Sequence, residues 1–361
     1  MTTETLDPAA SPLDALPPAP QPRALAFEFR GSGSEYFRIW IVNLLLTVVT
    51  VGIYSAWAKV RRLRYFHGST SLDGHTFDYH AEPVAILIGR LITVGGYALF
   101  LLAGKINPLL NVVAVPLLLV GLPWVIMRSR RFHLRMTSWR GLRFGFHGDY
   151  KAAFKAYIGW WLAAVLTAGI LVPVFLQRRL TYLLGNSAYG SQRASYSVGV
   201  GRFYAFYGWF VLKALGVLLL MALVAGLAFA MSAGRGAFGA PGIPVATSVA
   251  TVAAFMLLAG IYQAGVLNLA FGNLVVGPHR VQSTLSGTGL AALLLLNTLL
   301  IVITLGLYSP WAKVRLVRYQ LAHLQVIATG DLADFTAAAT ADDSKALGEE
   351  ISDFFDVDFG I

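Results

Sequence analysis

NLLLTVVTVGIYSAWAKVRRLRY, residues 43–65, returns near the other end of the chain as NTLLIVITLGLYSPWAKVRLVRY at residues 297–319, with 15 of 23 positions identical. Chance does not give that, so one structural unit is used at least twice. Each copy has an apolar half, a glycine step at Gly52 or Gly306 that can interrupt a helix, and a basic half. It reads as a membrane segment, an interfacial anchor and a surface helix. A weaker third copy, WWLAAVLTAGILVPVFLQRRLTYLLGNS from Trp160, keeps Thr167, Gly169, an arginine pair and Tyr182 but replaces Tyr-Ser-x-Trp by Leu-Val-Pro-Val-Phe.

Outward from the repeats, the 361 residues are 57% apolar and 13% charged, against about 25% charged in an average soluble domain. A spanning helix needs about 20 mostly apolar residues. Segments near 37–57, 84–104, 108–127, 152–174, 203–231, 244–271 and 290–311 meet that length. The expected fold is a mainly α-helical polytopic membrane protein with internal repeats and short β-hairpin ribbons in the polar connectors. Residues 25–335 form the repeat-containing membrane domain. Residues 1–24 read as a disordered Pro-rich tail without the apolar h-region of a cleavable signal, and 336–361 as an acidic amphipathic tail that can recruit a protein partner.

The ribbons are expected after each basic half. In HGSTSLDGHTFDYH (67–80) the Asp73-Gly74 pair is a hairpin turn. Similar stretches lie at 132–147, 182–197, 276–285 and 320–335, with a first strand at 25–30. Isolated hairpins are marginal in water, so pairing among the ribbons is favoured, and that demands one side of the membrane.

This demand exposes a conflict. If all seven segments span, residues 177–202, with Arg178, Arg179, Arg193 and Arg202, fall opposite the other basic loops, against the positive-inside rule. If segments one, four and seven are re-entrant, the ribbons share a face and only Lys105 and Arg235 lie outside it. The sequence leaves both topologies open.

The net charge of +10 follows this membrane pattern and implies anionic lipid rather than nucleic acid as the partner. Trp57, Lys59, Arg61, Arg64 and Tyr65, repeated as Trp311, Lys313, Arg315, Arg318 and Tyr319, suit the headgroup zone and its phosphates. Arg90 and Lys213 are the basic residues deepest in the segments. Arg90 lies about 9 Å from its helix start and can snorkel to the headgroups. No acidic residue falls within a proposed segment, so the carboxylates of a proton or cation relay are missing. Thr47, Thr50, Thr167, Thr304, Asn43 and Asn297 are the available polar lining, and such residues more often bond neighbouring helices.

Cysteine is absent, which excludes disulfides, thiolate metal sites and cysteine nucleophiles. The seven histidines lie in connectors without an HExxH pair, and no nucleophile elbow, Walker A lysine or dinucleotide fingerprint is present. The expectation is a non-enzymatic protein with no catalytic, cofactor-binding or metal residues and no cofactor.

With its repeated LLTxxTxGIYxxWAKVRxxRY, its FxFxGxGxxYF opening (Phe27, Phe29, Gly31, Gly33, Tyr36, Phe37) and its acidic GEEISDFFDVDFGI end, the chain resembles the YjgN-like family. The resemblance implies a multi-pass protein of the bacterial inner (cytoplasmic) membrane, of uncharacterised function, and carries over no catalytic residue. The leading expectation is transport or handling of a small solute or lipid. The rival is a membrane scaffold that binds anionic lipid or a partner protein without transport.

Overall fold

A three-residue strand flanked by turns makes too few ladder bonds to stand alone, and every isolated hairpin leaves two open edges. The chain removes both problems by closing its hairpins into one ring. The computed structural model describes residues 22–232, 242–330, Leu332, Phe335 and Thr336. Residues 1–21 and 337–361, most of the two expected tails, lie outside the described residues, as does Arg235.

After β1 (Arg23–Phe29), five units follow, each a helical hairpin and then strands. The first is α1 (Gly33–Val49), α2 (Ser55–Gly68), β2 (Thr70–Leu72) and β3 (His75–Tyr79). The second is α3 (Pro83–Ile106), α4 (Pro108–Arg135), β4 (Thr137–Trp139) and β5 (Leu142–Phe146). The third is α5 (Tyr150–Phe154), a π-helical turn (Lys155–Gly159), α6 (Trp160–Leu166), α7 (Val172–Gly185), β6 (Ser187–Tyr189) and β7 (Gln192–Tyr196). The fourth is α8 (Val200–Ser232), α9 (Gly242–Phe271), β8 (Leu274–Val276) and β9 (His279–Ser283). The fifth is α10 (Gly287–Ile303), α11 (Ser309–Ala322) and β10 (Leu324–Ala328), whose hairpin partner is β1.

The strands form a closed antiparallel barrel in the order β1-β10-β9-β8-β7-β6-β5-β4-β3-β2. This corrects the expected fold class: the ribbons are not separate hairpins in connectors but one barrel, closed by chain ends some 300 residues apart. The register repeats from unit to unit. Phe27 pairs with Leu72, Phe77 with Trp139, Phe144 with Tyr189, Ala194 with Val276 and Val281 with Val326. All of these but Ala194 pack with Leu25, Leu142 and Ala328 into one core, joined by Leu332 and Phe335 from beyond β10. Phe335 lies over Tyr189 at 6.0 Å and edge-on to His279 at 4.5 Å. The barrel is therefore a packed core and not a pore.

The helical hairpins divide into two kinds. In the first, third and fifth units the helix breaks where Val51 and Gly52, Ala168 and Gly169, and Leu305 and Gly306 all take positive φ, with the glycines at +91°, +91° and +94°. Glycine bears that conformation without a Cβ penalty. The threonine before each pair closes the turn. Thr50 donates to the Leu46 carbonyl and accepts from the Tyr54 N–H; Thr167 does the same with Ala163 and Leu171, and Thr304 with Leu300 and Tyr308. Apolar tips such as Val51 and Leu305, 91% and 93% exposed, thus carry turn backbone bonded internally, as a membrane interior requires.

The second and fourth units instead hold α3, α4, α8 and α9, the four described helices long and apolar enough to cross a membrane. Segments 37–57, 152–174 and 290–311 are not continuous helices: each is an outgoing helix, a left-handed turn and the start of a returning helix. All five units leave the barrel and return to it, so residues 177–202 lie with the other basic loops and the topological conflict disappears.

Candidate functional site

The returning helices α2, α4, α7, α9 and α11 carry polar residues at matching places, and one set ties each helix to its hairpin. Arg64 donates to the Tyr79 and Ala81 carbonyls at 3.2 and 3.3 Å. Arg131 reaches the Gly148 carbonyl at 3.5 Å, Gln177 Val198 at 3.0 Å, Asn268 Leu285 at 2.9 Å and Arg318 Gly31 at 2.8 Å. In every unit an acceptor, Ala81 in the first, lies two residues beyond the longer strand of the hairpin. A second set closes the three short units. The Tyr65, Tyr182 and Tyr319 hydroxyls donate to the carbonyls of Ser32, Asp149 and Ser286 at 2.9, 3.2 and 3.3 Å, each 33 residues away. Those acceptors cap α1, α5 and α10 through their side chains. Burial pushes the Tyr182 hydroxyl up to about 12, so it remains a donor at neutral pH.

Several residues expected at lipid headgroups also bond within the chain, Arg61, Arg64 and Arg318 while remaining exposed. Arg64, Tyr65, Arg318 and Tyr319 hold backbone carbonyls. Arg61 and Arg315 donate to Tyr54 and Tyr308, both at 3.1 Å. Trp57 stacks on Tyr54 and packs near Ala56 and Val60. Trp311 stacks on Phe37 at 4.8 Å and fills the space a Cβ at Gly33 would take.

Lys59, Lys313 and Arg90 have a different setting. Lys59 Nζ lies 3.2 Å from His133 Nε2, and His133 Nδ1 lies 2.9 Å from the Tyr79 hydroxyl. An ammonium only donates, so Nε2 accepts, and the ring is neutral with its proton on Nδ1. Arg90 does not run to the helix end but bonds the Ser55 hydroxyl at the tip of the first unit. Burial lowers the Lys59 pKa, and the charges of Arg90 and Arg62 lower it further. Lys313 is lowered by burial and then by Arg62. Along α4, Arg130 lines a cleft of about 380 Å³ with Val125, Ile126, Ser129 and the same His133. In the third unit Arg179 lies 5.7 Å from the Tyr157 ring and Arg178 5.6 Å from that of Trp160.

Lys313, Arg62, Lys59, Arg90, Arg130 and Arg179 thus form a belt running through successive units. Among the described residues the ion pairs Arg23–Asp73, Arg30–Glu28 and Arg140–Asp73 all sit on barrel strands and turns, and none involves the belt. Nor do three imidazole or carboxylate groups converge among the described residues. The belt offers ammonium, guanidinium and hydroxyl donors, which is chemistry for holding an anion.

Ser129, Arg130 and His133 were not singled out from sequence, and Arg179 was read there only as a topology signal. The signal was present: MRSRRFHLRMTSW (127–139) lies under VRRLRYFHGSTSL (60–72) with Arg131 at the place of Arg64.

A family model described as "Bacterial protein of unknown function (DUF898)" matches residues 24–354. Three bacterial relatives carry the name "Inner membrane protein YjgN". That of Salmonella typhimurium LT2 is 32% identical over 149 residues, 41% of this chain and 36% of the relative. Those of Escherichia coli K12 and O157:H7 are 30% and 29% identical over 156 and 164 residues, covering 43% and 45% of this chain and 39% and 41% of the relatives. The chain spans about two fifths of the length of these curated relatives. No solved structure matches.

Proposed function

We propose a function from the premise that the chain belongs to the DUF898 family of bacterial proteins of unknown function: it handles an anionic lipid or small anionic solute by binding it in the cationic belt, without catalysis. The relatives are named inner membrane proteins, and four helices here are long and apolar enough to cross a membrane. The basic residues cluster toward the barrel, which by the positive-inside rule faces the cytoplasm.

The observation that carries the reading is six neighbouring cations with no ion pair among the described residues. Like charges brought together cost free energy that an anion removes, and each basic side chain near an anionic membrane surface contributes about 1 kcal/mol to attraction. The filled barrel supports holding a ligand over conducting one along the barrel axis, so a scaffold role without transport fits the same geometry.

The test is native mass spectrometry of the purified protein in uncharged detergent. Anionic phosphatidylglycerol is expected to stay bound in preference to zwitterionic phosphatidylcholine, and the preference to weaken in the triple variant Arg62→Gln, Arg179→Gln, Lys313→Gln. Equal retention of both lipids by the unaltered protein contradicts the proposal.

A further inference from the structure

Of the belt, the seam between the first and second units is the most fully built part. It gathers Lys59 from α2, Arg90 from α3, and Ser129, Arg130 and His133 from α4. His133 is their common point: Lys59 donates to one ring nitrogen, the other is held by Tyr79, and Arg130 and Ser129 line the same cleft. We infer that this seam binds a phosphate group, with Lys59, Arg90, Arg130 and Ser129 as its donors. The inference rests on the belt reading and narrows it to one site and one ligand chemistry.

A plain topology signal is a set of solvated basic side chains, each free to move into water. Lys59 is instead half-buried against a neutral imidazole, where a structural lysine would meet a carboxylate. A neutral partner leaves the full positive charge in place, and Arg62 on α2, Arg90 on α3 and Arg130 on α4 add to it. Phosphate matches this donor set because its oxygens accept from a point ammonium, a planar guanidinium fork and a hydroxyl together. The remaining walls, Val125 and Ile126, are apolar, and Val125 is 52% exposed on the outer face of a helix long enough to span. That leaves room for the esterified part of a lipid headgroup.

The site also has a pH signature. The groups facing Lys59 are His133, Arg90 and Arg62, with Arg130 acting on His133, and its proton is held less tightly than an ordinary lysine's. Phosphate binds the protonated amine, so affinity falls as pH rises through that lowered pKa, earlier in the alkaline range than for a free lysine.

The experiment is calorimetric titration of the full chain in uncharged detergent with dioctanoyl phosphatidylglycerol, inorganic phosphate and dioctanoyl phosphatidylcholine. Binding of the first alone supports a lipid phosphate, and binding of the first two supports the phosphate group itself; phosphatidylcholine carries the same phosphodiester beside a choline cation that these side chains repel, so its binding as strongly as phosphatidylglycerol overturns the inference. Lys59→Gln and Arg130→Gln are each expected to weaken binding about tenfold or more, the scale of a lost charged hydrogen bond. Arg178→Gln, over the Trp160 ring, is expected to leave it unchanged, and the alkaline fall is expected to vanish in Lys59→Gln. Arg130 lies on the cleft surface, so Arg130→Gln still decides if Lys59→Gln fails to fold. Should Arg62→Gln, Arg179→Gln and Lys313→Gln abolish binding while Lys59→Gln and Arg130→Gln do not, the seam is wrong and the belt stands. Should no anion bind the unaltered protein, both fall.

Discussion

The short units and the long ones end alike and begin differently. In the first, third and fifth, a Thr-x-Gly turn sends the helix back, and a tyrosine 33 residues on ties the return to the cap of the outgoing helix. In the second and fourth, Phe132 and Leu269 hold that tyrosine's place, the described residues carry no Thr-x-Gly turn, and the helices run 24 to 33 residues. The β-hairpins are the same in length and register in all but the fifth, where β10 and β1 provide it. The difference teaches that the barrel sets the architecture, and that helical hairpins of either length can be mounted on one ring.

The largest way to break the comparison is to damage what all units share. Trp139→Ala, inside the barrel, is expected to cost about 3–5 kcal/mol, seen as a melting-temperature drop in detergent; a drop no larger than that of a surface substitution would mean that the ring is not the common core. Next come changes that touch one kind of unit. Gly52→Ala places a Cβ at φ +91° with nothing within 4 Å of it, so the whole cost is backbone, about 1–2 kcal/mol. Gly121→Ala in α4, equally uncrowded and without positive φ, is expected to be neutral or stabilising. Arg64→Met leaves the Tyr79 and Ala81 carbonyls without their donor and is expected to cost about 1–3 kcal/mol. The smallest effect sharpens the contrast: Tyr65→Phe loses the hydroxyl that accepts from the Ser32 N–H and donates to the Ser32 carbonyl or Glu35 in the first unit, about 1–2 kcal/mol, whereas Phe132→Tyr in the second gains nothing.

Much of this was legible in the residues. The Asp73-Gly74 turn forms with both residues at positive φ, and Gly52, Gly169 and Gly306 mark the breaks that the sequence placed there. Ring closure was not legible, because the pairing of Arg23 with Ala328 is written in no local pattern. Nor was the fivefold use of one unit. The second and fourth copies are masked by their long helices, and the tether changes identity, from Arg64 and Arg131 to Asn268, with Gln177 one turn earlier. At the candidate site, Lys59, Lys313 and Arg90 stood out as basic residues, but their shared surroundings depend on α2, α3, α4 and α11 coming together. Arg64 and Arg318 stay exposed, and their bonds to the carbonyls of Tyr79, Ala81 and Gly31 are an added role that the basic pattern alone does not show.

The central claim is that every helical hairpin returns to the barrel side. With no native cysteine, single thiols introduced at His75 and Arg193, both exposed in the barrel, are expected to react with a membrane-impermeant maleimide from the same side. A thiol at Asn107, between α3 and α4, is expected to react from the other. Labelling of His75→Cys and Arg193→Cys from opposite sides would contradict the account.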